Sequence, residues 1–259
     1  MTGHDSDIDL SIGTCNELIE AAKQAGSVEE LHALCAFLCD RAGFDYFLYG
    51  AVLPVSLVRP QTFIISGYPN EWWERYQECN YIRIDPVLRH STERQSVPLD
   101  WNDVDPGAHS ESNRVRQFMS EAADFGLTSG VSFPVHGREG EYAILSLATG
   151  DDHGQARGRI IASMPFVQLL SGYIHEAARR IFEHGDVTLA RPSLTEREKE
   201  CLLWAAEGKT SWDTAHILGI SERTVLFHLH NASHKLDVSN RAQAVARAVS
   251  QGYITPQFR

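Results

Sequence analysis

The chain has 259 residues, of which 43% are hydrophobic and 22% charged, a composition typical of a globular protein with an apolar core. Its net charge of −11 argues against binding nucleic acid over the whole surface. No apolar run approaches the roughly 20 residues of a membrane span, and the acidic start MTGHDSDIDL is unlike a signal peptide, so we expect a cytoplasmic protein with no membrane contact.

The first element that the sequence predicts is an amphipathic helix at residues 27–41, with Ser27 as its N-cap. Its apolar stripe comprises Val28, Leu31, Leu34, Cys35 and Leu38. The five cysteines form no CxxC pair and are odd in number. We expect Cys35 and Cys39 to be buried apolar residues, and we expect no metal and no cofactor.

Short strands and helices alternate along the rest of the first two thirds of the chain. This mixture favours an α+β fold, in which an antiparallel sheet lies between layers of helices as an α/β/α sandwich. The predicted strands are 43–53, 61–66, 130–135 and 141–149. The predicted helices are 70–80, about 110–125 and 155–184.

The stretch EHGDVTLARPS, with Gly185 and Pro192 as breakers, predicts a linker. We therefore divide the chain into a domain at 1–184, a linker at 185–193 and a second domain at 194–259. Charge differs across this boundary: residues 191–259 carry nine Lys or Arg and seven Asp or Glu, whereas the rest of the chain has a net charge of −13. Such asymmetry suggests two separate functions.

The second domain is predicted to be all-α, with four helices. Thr195 and Glu198 have the spacing of a capping box at the start of the first helix. Gly219 supplies a tight turn and Ser221 an N-cap between the next two helices, which is the pattern of a helix-turn-helix unit. The last three helices are predicted at about 211–218, 222–236 and 240–250.

The helix predicted at 222–236 has a packed side and an outward side. Its apolar stripe consists of Val225, Leu229, Ala232 and Leu236. In a recognition helix, the opposite side contacts base edges and phosphates of double-stranded DNA. The candidate DNA-binding residues are Thr224, Leu226, Phe227, His230, Asn231, His234 and Lys235.

The stretch LTEREKECLLWAAEGKTSWDTAHILGISERTVLFH strongly resembles the DNA-binding domain of LuxR-type regulators. Members of that family usually have Lys or Asn where this chain has Leu226, and basic residues where it has Ser233 and His234. Since phosphate neutralisation supplies much of DNA affinity, we expect weaker DNA binding or reliance on a homodimer.

The segment YPNEWWERYQECNYIRIDPVLRH concentrates aromatic residues around Asp85. Trp72 and Tyr76 are four residues apart on one predicted helix face, whereas we expect Trp73 to point elsewhere and pack structurally. Tyr142, Ile144 and Ser146 alternate along one strand and share one face, as in a pocket floor. Each tryptophan alone also fits a packed core, and Asp85 alone also fits a cap for the turn at Pro86.

This segment, together with VPLDW and FGLTSGVSFPVHG, resembles the signal-binding domain of the same family, which binds N-acyl-homoserine lactones. The resemblance implies that Trp72 donates to the lactone carbonyl and that Asp85 accepts from the amide N–H. It places Tyr68 and Ser146 near the amide carbonyl, and Trp101 and Tyr76 in the pocket walls. Tyr142, Ile144 and Val87 lead us to expect an unsubstituted or modestly long acyl chain.

We therefore interpret the chain as a signal-dependent transcription factor of quorum sensing and not as an enzyme. The sequence contains no GxSxG or HExxH motif, although Asp85 and His90 could form the base and orienter of a lactone hydrolase. Two further alternatives stay open: the pocket could take a different small molecule, or the second domain could act through protein partners.

Overall fold

The computed structural model describes residues 9–53, 61–92, 96–105, 112–137, 141–185 and 192–255. The chain divides into two compact units, with the main boundary after Gly185. The predicted linker falls mostly on residues 186–191, which lie outside the described residues. Within the described ranges, no helix combines the length and the apolar character that crossing a membrane requires.

The first unit contains a five-stranded sheet in the order β2-β1-β5-β4-β3. The strands are β1 (Tyr46–Leu53), β2 (Gln61–Ser66), β3 (Leu99–Asp100), β4 (Ser129–His136) and β5 (Tyr142–Thr149). The pairs β1–β5, β5–β4 and β4–β3 are antiparallel, which confirms the predicted antiparallel sheet. The short strand β3 was not predicted.

Three helices pack on one face of this sheet: α1 (Ile12–Gln24), α2 (Val28–Arg41) and α6 (His153–Gly185). Alternate residues of the strands, such as Phe47, Phe133 and Leu145, join them in one buried core. Helix α1 was not predicted from the sequence, although Ser11 caps it with a side chain that accepts from the backbone N–H of Thr14.

The predicted stripe of α2 is buried except at its first residue. Leu31, Leu34, Cys35 and Leu38 are buried, whereas Val28 is exposed because it opens the helix directly after the N-cap Ser27. Cys35 and Cys39 are buried as predicted, and burial raises the pKa of each thiol to about 12.

The other face of the sheet lies under α3 (Asn70–Glu78), α4 (Pro86–Thr92) and α5 (Ser112–Asp124). A second apolar cluster joins α3, α5 and Ala148 of β5, and α4 contacts β4 and β5. Helices on both faces confirm the predicted α/β/α sandwich. Helix α4 was missed because it is only two turns long and begins at a proline, Pro86.

The second unit contains four helices within the described residues, as predicted: α7 (Glu196–Ala206), α8 (Ser211–Leu218), α9 (Glu222–Lys235) and α10 (Arg241–Ser250). The capping box of Thr195 and Glu198 is formed at the start of α7. The predicted stripe of α9, from Val225 to Leu236, is buried in this unit's own apolar core.

Candidate functional site

A cavity of about 570 Å³ lies between the sheet and the helices α3–α5. This volume is in the range of small-molecule binding sites. All eight residues predicted to contact a ligand line it: Tyr68, Trp72, Tyr76, Asp85, Trp101, Tyr142, Ile144 and Ser146. The structure therefore brings together residues from α3, the turn before α4, and β5.

Asp85 is one of the two carboxylates in this lining, with Asp152. One oxygen, Oδ1, accepts from the backbone N–H groups of Val87 and Leu88 at 2.8 and 3.2 Å, so Asp85 also caps α4. The other, Oδ2, accepts from the Tyr76 hydroxyl at 2.8 Å. Burial raises the pKa of Asp85, although these three hydrogen bonds oppose the rise.

A chain of hydrogen bonds crosses the sheet beside Asp85. Trp101 donates through Nε1 to the Ser132 hydroxyl at 2.8 Å, and the hydroxyls of Ser132 and Ser146 are 2.7 Å apart. The Ser146 hydroxyl also lies near that of Tyr68, whose pKa is raised by burial and then by the nearby Asp85. Ser132 was not predicted as a site residue; it faces Ser146 because β4 and β5 pair in that register.

Trp72 is nearly fully buried, with 2% of its surface exposed. Its ring lies 6.0 Å from Tyr81 in a stacked arrangement and 5.6 Å from Phe118. Among the described residues, none accepts a hydrogen bond from its indole N–H. Trp72 therefore brings an indole N–H donor to the cavity lining.

The expectation that Trp73 points away from the cavity was wrong, since this residue also lines it, whereas the expected structural packing is present. Its ring stacks on Tyr76 with centroids 5.6 Å apart and an interplanar angle of 4°. Consecutive residues of a helix point about 100° apart, so a cavity wide enough to meet two sides of α3 reaches both tryptophans.

Glu121 of α5 forms hydrogen bonds that join α5 to α3 and to Tyr81, over the cavity. It accepts two hydrogen bonds from Arg75 of α3, at 2.8 and 3.0 Å, one from the Tyr81 hydroxyl at 2.7 Å and one from Gln117 at 2.8 Å. The hydrogen bond from Arg75 is the main reason that the pKa of Glu121 falls to about 2.

The lining suits binding better than catalysis. Apolar and aromatic walls surround a few buried polar groups, which is the chemistry of a site that holds a mainly apolar ligand in one orientation. Asp85 and His90 do not bond to each other, since the described partner of His90 is the Val97 carbonyl at 3.5 Å. Groups of three metal-ligating side chains are absent from the described ranges.

The second unit contains the helix-turn-helix arrangement. Gly219 ends α8 with φ 67°, a left-handed conformation that glycine adopts without strain. The Ser221 side chain then caps α9 by accepting from the backbone N–H of Thr224 at 3.1 Å. Gly219 and Ser221 thus form the turn between α8 and α9.

The predicted DNA-binding residues differ in exposure. Leu226, Phe227, His230 and His234 are exposed, and Thr224, Asn231 and Lys235 are partly buried. The Lys235 ammonium donates to Glu198 at 2.8 Å. The pKa of Glu198 is lowered because the bonds from Lys235 and Thr195 outweigh its burial. Arg223, which was not predicted, is exposed beside Phe227 and Leu226 on the outward face.

Comparison with known proteins agrees with this two-unit organisation. Residues 27–178 match the family model "Autoinducer binding domain", and residues 192–248 match "Bacterial regulatory proteins, luxR family". The transcriptional activator protein AhyR of Aeromonas hydrophila is 38% identical over 220 residues, which cover 83% of this chain and 82% of AhyR.

Solved structures give the same result. SdiA in complex with octanoyl-rac-glycerol aligns over 100% of both chains, with a TM-score of 0.72 and 28% identity. CepR2 of Burkholderia cenocepacia, described as an N-acylhomoserine lactone dependent LuxR family transcription factor, covers 68% of this chain and 98% of its own, with a TM-score of 0.51 and 25% identity. This chain therefore belongs to the LuxR family of quorum-sensing transcriptional regulators, with an autoinducer-binding unit and a DNA-binding helix-turn-helix unit.

Proposed function

We propose that the autoinducer of this regulator is an N-acyl-homoserine lactone and that it binds in the cavity of the first unit. The observation that carries this proposal is Asp85, a partly buried carboxylate that borders the cavity. An ionised carboxylate offers about four lone-pair sites, and the described partners of Asp85 use three. The remaining site suits the amide N–H of the ligand.

The other polar groups of the ligand have partners within the same lining. The indole N–H of Trp72 suits the lactone carbonyl. The hydroxyls of Tyr68 and Ser146, which lie near each other, suit the amide carbonyl. These pairings satisfy groups that would each cost about 1–3 kcal/mol if they were buried without partners.

The acyl chain would lie along the apolar part of the cavity. Trp101 and Tyr76 form walls, and Tyr142 and Ile144 supply the floor. Val87 lines the cavity without a side-chain donor, which favours an unsubstituted chain over a 3-oxo chain. A volume of about 570 Å³ supports a chain of modest length.

A monoacylglycerol is the second candidate, because SdiA was solved with octanoyl-rac-glycerol. Such an ester has no amide N–H, so a glycerol hydroxyl would have to donate to Asp85. The two candidates therefore differ in the group that they present to one carboxylate.

Titration calorimetry with the full-length protein separates them. The panel comprises N-acyl-homoserine lactones of increasing chain length, a 3-oxo series and 1-octanoyl-glycerol. We expect an unsubstituted lactone to bind most tightly. A clear preference for long 3-oxo chains contradicts the proposed tail site, and a clear preference for octanoyl-glycerol contradicts the proposed ligand.

The variant Asp85→Asn tests the carboxylate with little change in volume. Hydrogen bonds to charged groups contribute about 1.5–3 kcal/mol, so we expect roughly 10- to 150-fold weaker lactone binding. Asp103→Asn, at an exposed carboxylate of the same unit, serves as the matched control and should bind normally. Equal affinities for both variants would remove Asp85 from the site.

We further propose that residues 1–184 bind the ligand and dimerise, and that residues 194–259 bind DNA in the cytoplasm. Symmetric dimers read two half-sites about one helical turn apart, and two α9 helices would contact them. Light scattering with and without N-octanoyl-homoserine lactone tests the dimer. Recovery of intact lactone after long incubation would exclude the rival hydrolase.

A further inference from the structure

The outward face of α9 carries two large apolar side chains. Helical spacing places residues 223, 226, 227, 230 and 234 on this face, and all five are exposed. Leu226 is 53% exposed and Phe227 is 59% exposed. Both lie in the first two turns of α9, the part of a recognition helix that contacts base edges.

These two side chains are not part of the core of the unit. The buried residues of α9 are Val225, Leu229 and Ala232, and the apolar cluster that contains them includes neither Leu226 nor Phe227. The described ring contact of Phe227 is with its chain neighbour His228, at 5.7 Å. Their apolar surface is therefore available to a partner of the unit.

The charge of this face is small. Arg223 is its only residue with a permanent positive charge in the described part of α9, and the adjacent Glu222 carries the opposite sign. Lys235, at the end of the helix, donates to Glu198 at 2.8 Å. Sequence discrimination by this face must therefore depend mostly on groups other than Lys or Arg.

In the major groove, the 5-methyl group of thymine is the apolar group that base edges present. We propose that Leu226 and Phe227 form a thymine-reading patch, which contacts thymine methyl groups in each half-site of the target DNA. This inference rests on the proposed function, since it requires α9 to enter the major groove.

The surroundings of the patch favour DNA over an apolar groove of another protein. Thr224, Asn231 and His230 flank it on α9, and each can form hydrogen bonds with base edges or phosphates. An apolar protein groove would leave these groups without partners, at a cost in free energy. A base-pair edge offers both methyl groups and polar atoms.

Selection from a random DNA library, followed by deoxyuridine scanning, tests the patch with the unmodified full-length protein. Selection is run with and without N-octanoyl-homoserine lactone. Each thymine of the selected half-site is then replaced singly by deoxyuridine, which keeps the base pair and removes only the methyl group. We expect roughly three- to tenfold weaker binding at one or two positions, since burial of one such carbon contributes in this range.

Two variants link the lost methyl groups to the patch. Leu226→Ala and Phe227→Ala should weaken binding to the thymine duplex and make it insensitive to deoxyuridine at the affected position. Val249→Ala is the matched control, because Val249 of α10 is also apolar and 54% exposed. It should retain the full difference between thymine and deoxyuridine.

The outcomes distinguish this inference from the proposed function. Tight, sequence-specific binding that is unaffected by deoxyuridine at every position overturns the thymine-reading patch and leaves DNA binding intact. A selected half-site that contains no thymine also overturns the thymine-reading patch and leaves DNA binding intact. Failure to select any DNA under either condition overturns both the patch and the proposed DNA-binding role of α9.

Discussion

The two faces of the central sheet are made from the same strands but are filled differently. Leu145 and Leu147 of β5 face α1, α2 and α6, where apolar side chains surround them. Ile144 and Ser146 face α3–α5 and border a cavity of about 570 Å³. The face toward α1, α2 and α6 is thus close-packed, whereas the face toward α3–α5 borders a cavity.

Exposure alone does not reveal this difference. Ile144 is 3% exposed and Leu145 is 1% exposed, so both are buried from solvent. Atoms that border a void lack attractive contacts on one side, whereas close-packed atoms have them all round. A ligand of suitable shape would supply the missing contacts, which makes the cavity face the part of the fold that responds to binding.

Truncation of neighbouring residues of β5 should show the largest difference in stability between the two faces of the sheet. We expect Leu145→Ala to lower the free energy of unfolding by about 2–5 kcal/mol, because it opens a hole in a packed core. Ile144→Ala removes as many carbons but enlarges an existing cavity, so its cost should be smaller. Urea denaturation of both ligand-free variants measures the difference, and equal losses would contradict the contrast between the faces.

Ligand addition should stabilise the cavity face selectively. At a hundred times its Kd, N-octanoyl-homoserine lactone should stabilise the protein by about 2.7 kcal/mol, a rise in Tm of about 5–10 °C. Hydrogen exchange should slow in α3 and α5 more than in α1 and α2. Equal protection of both layers would show that the cavity face does not respond separately.

The pH dependence of ligand affinity tests whether the ionised carboxylate of Asp85 accepts a hydrogen bond from the ligand. The pKa of Asp85 is raised above the usual 3.8 in the empty protein, and a ligand N–H donor would stabilise the ionised form and lower that pKa. Binding would then release a proton, so affinity should rise with pH through the raised pKa and level off above it. Calorimetry across this interval should show a flat profile for Asp85→Asn and an unchanged one for Asp103→Asn.

At acidic pH, protonation of Glu121 should lower the stability of the helices α3 and α5 that cover the cavity. We expect this effect to be smaller than those above. The folded-state pKa of Glu121 is lowered from 4.5 to about 2, so its stabilising contribution is present above pH 4.5 and is lost as the pH falls toward 2. Glu121→Gln should remove this dependence from hydrogen exchange in α3 and α5. Glu20→Gln, at an exposed ion pair of α1, is the control on the opposite face and should leave it unchanged.

Local patterns were sufficient to predict much of this architecture. Alternation along β5 correctly placed Tyr142, Ile144 and Ser146 on one face. The spacing in α9 correctly predicted its buried stripe, and the capping box correctly marked the start of α7. These features depend on neighbours within one helix or strand, which the sequence displays directly.

Features that depend on distant segments could not be predicted in this way. The bond between Ser132 and Ser146 requires the register of β4 against β5. The pair of Lys235 and Glu198 joins α9 to α7. Trp73 was misplaced because the width of a cavity is set by the packing of whole helices and not by the spacing on one of them.

Each unit has its own tryptophans, which can report on their surroundings by fluorescence. Of the five tryptophans, Trp72, Trp73 and Trp101 line the cavity, while Trp204 and Trp212 belong to the second unit. Indole emission shifts to shorter wavelength when water leaves its surroundings. Variants that keep the tryptophans of one unit and replace the others by Phe can therefore follow filling of the cavity or contact at the exposed Trp212, without any attached dye.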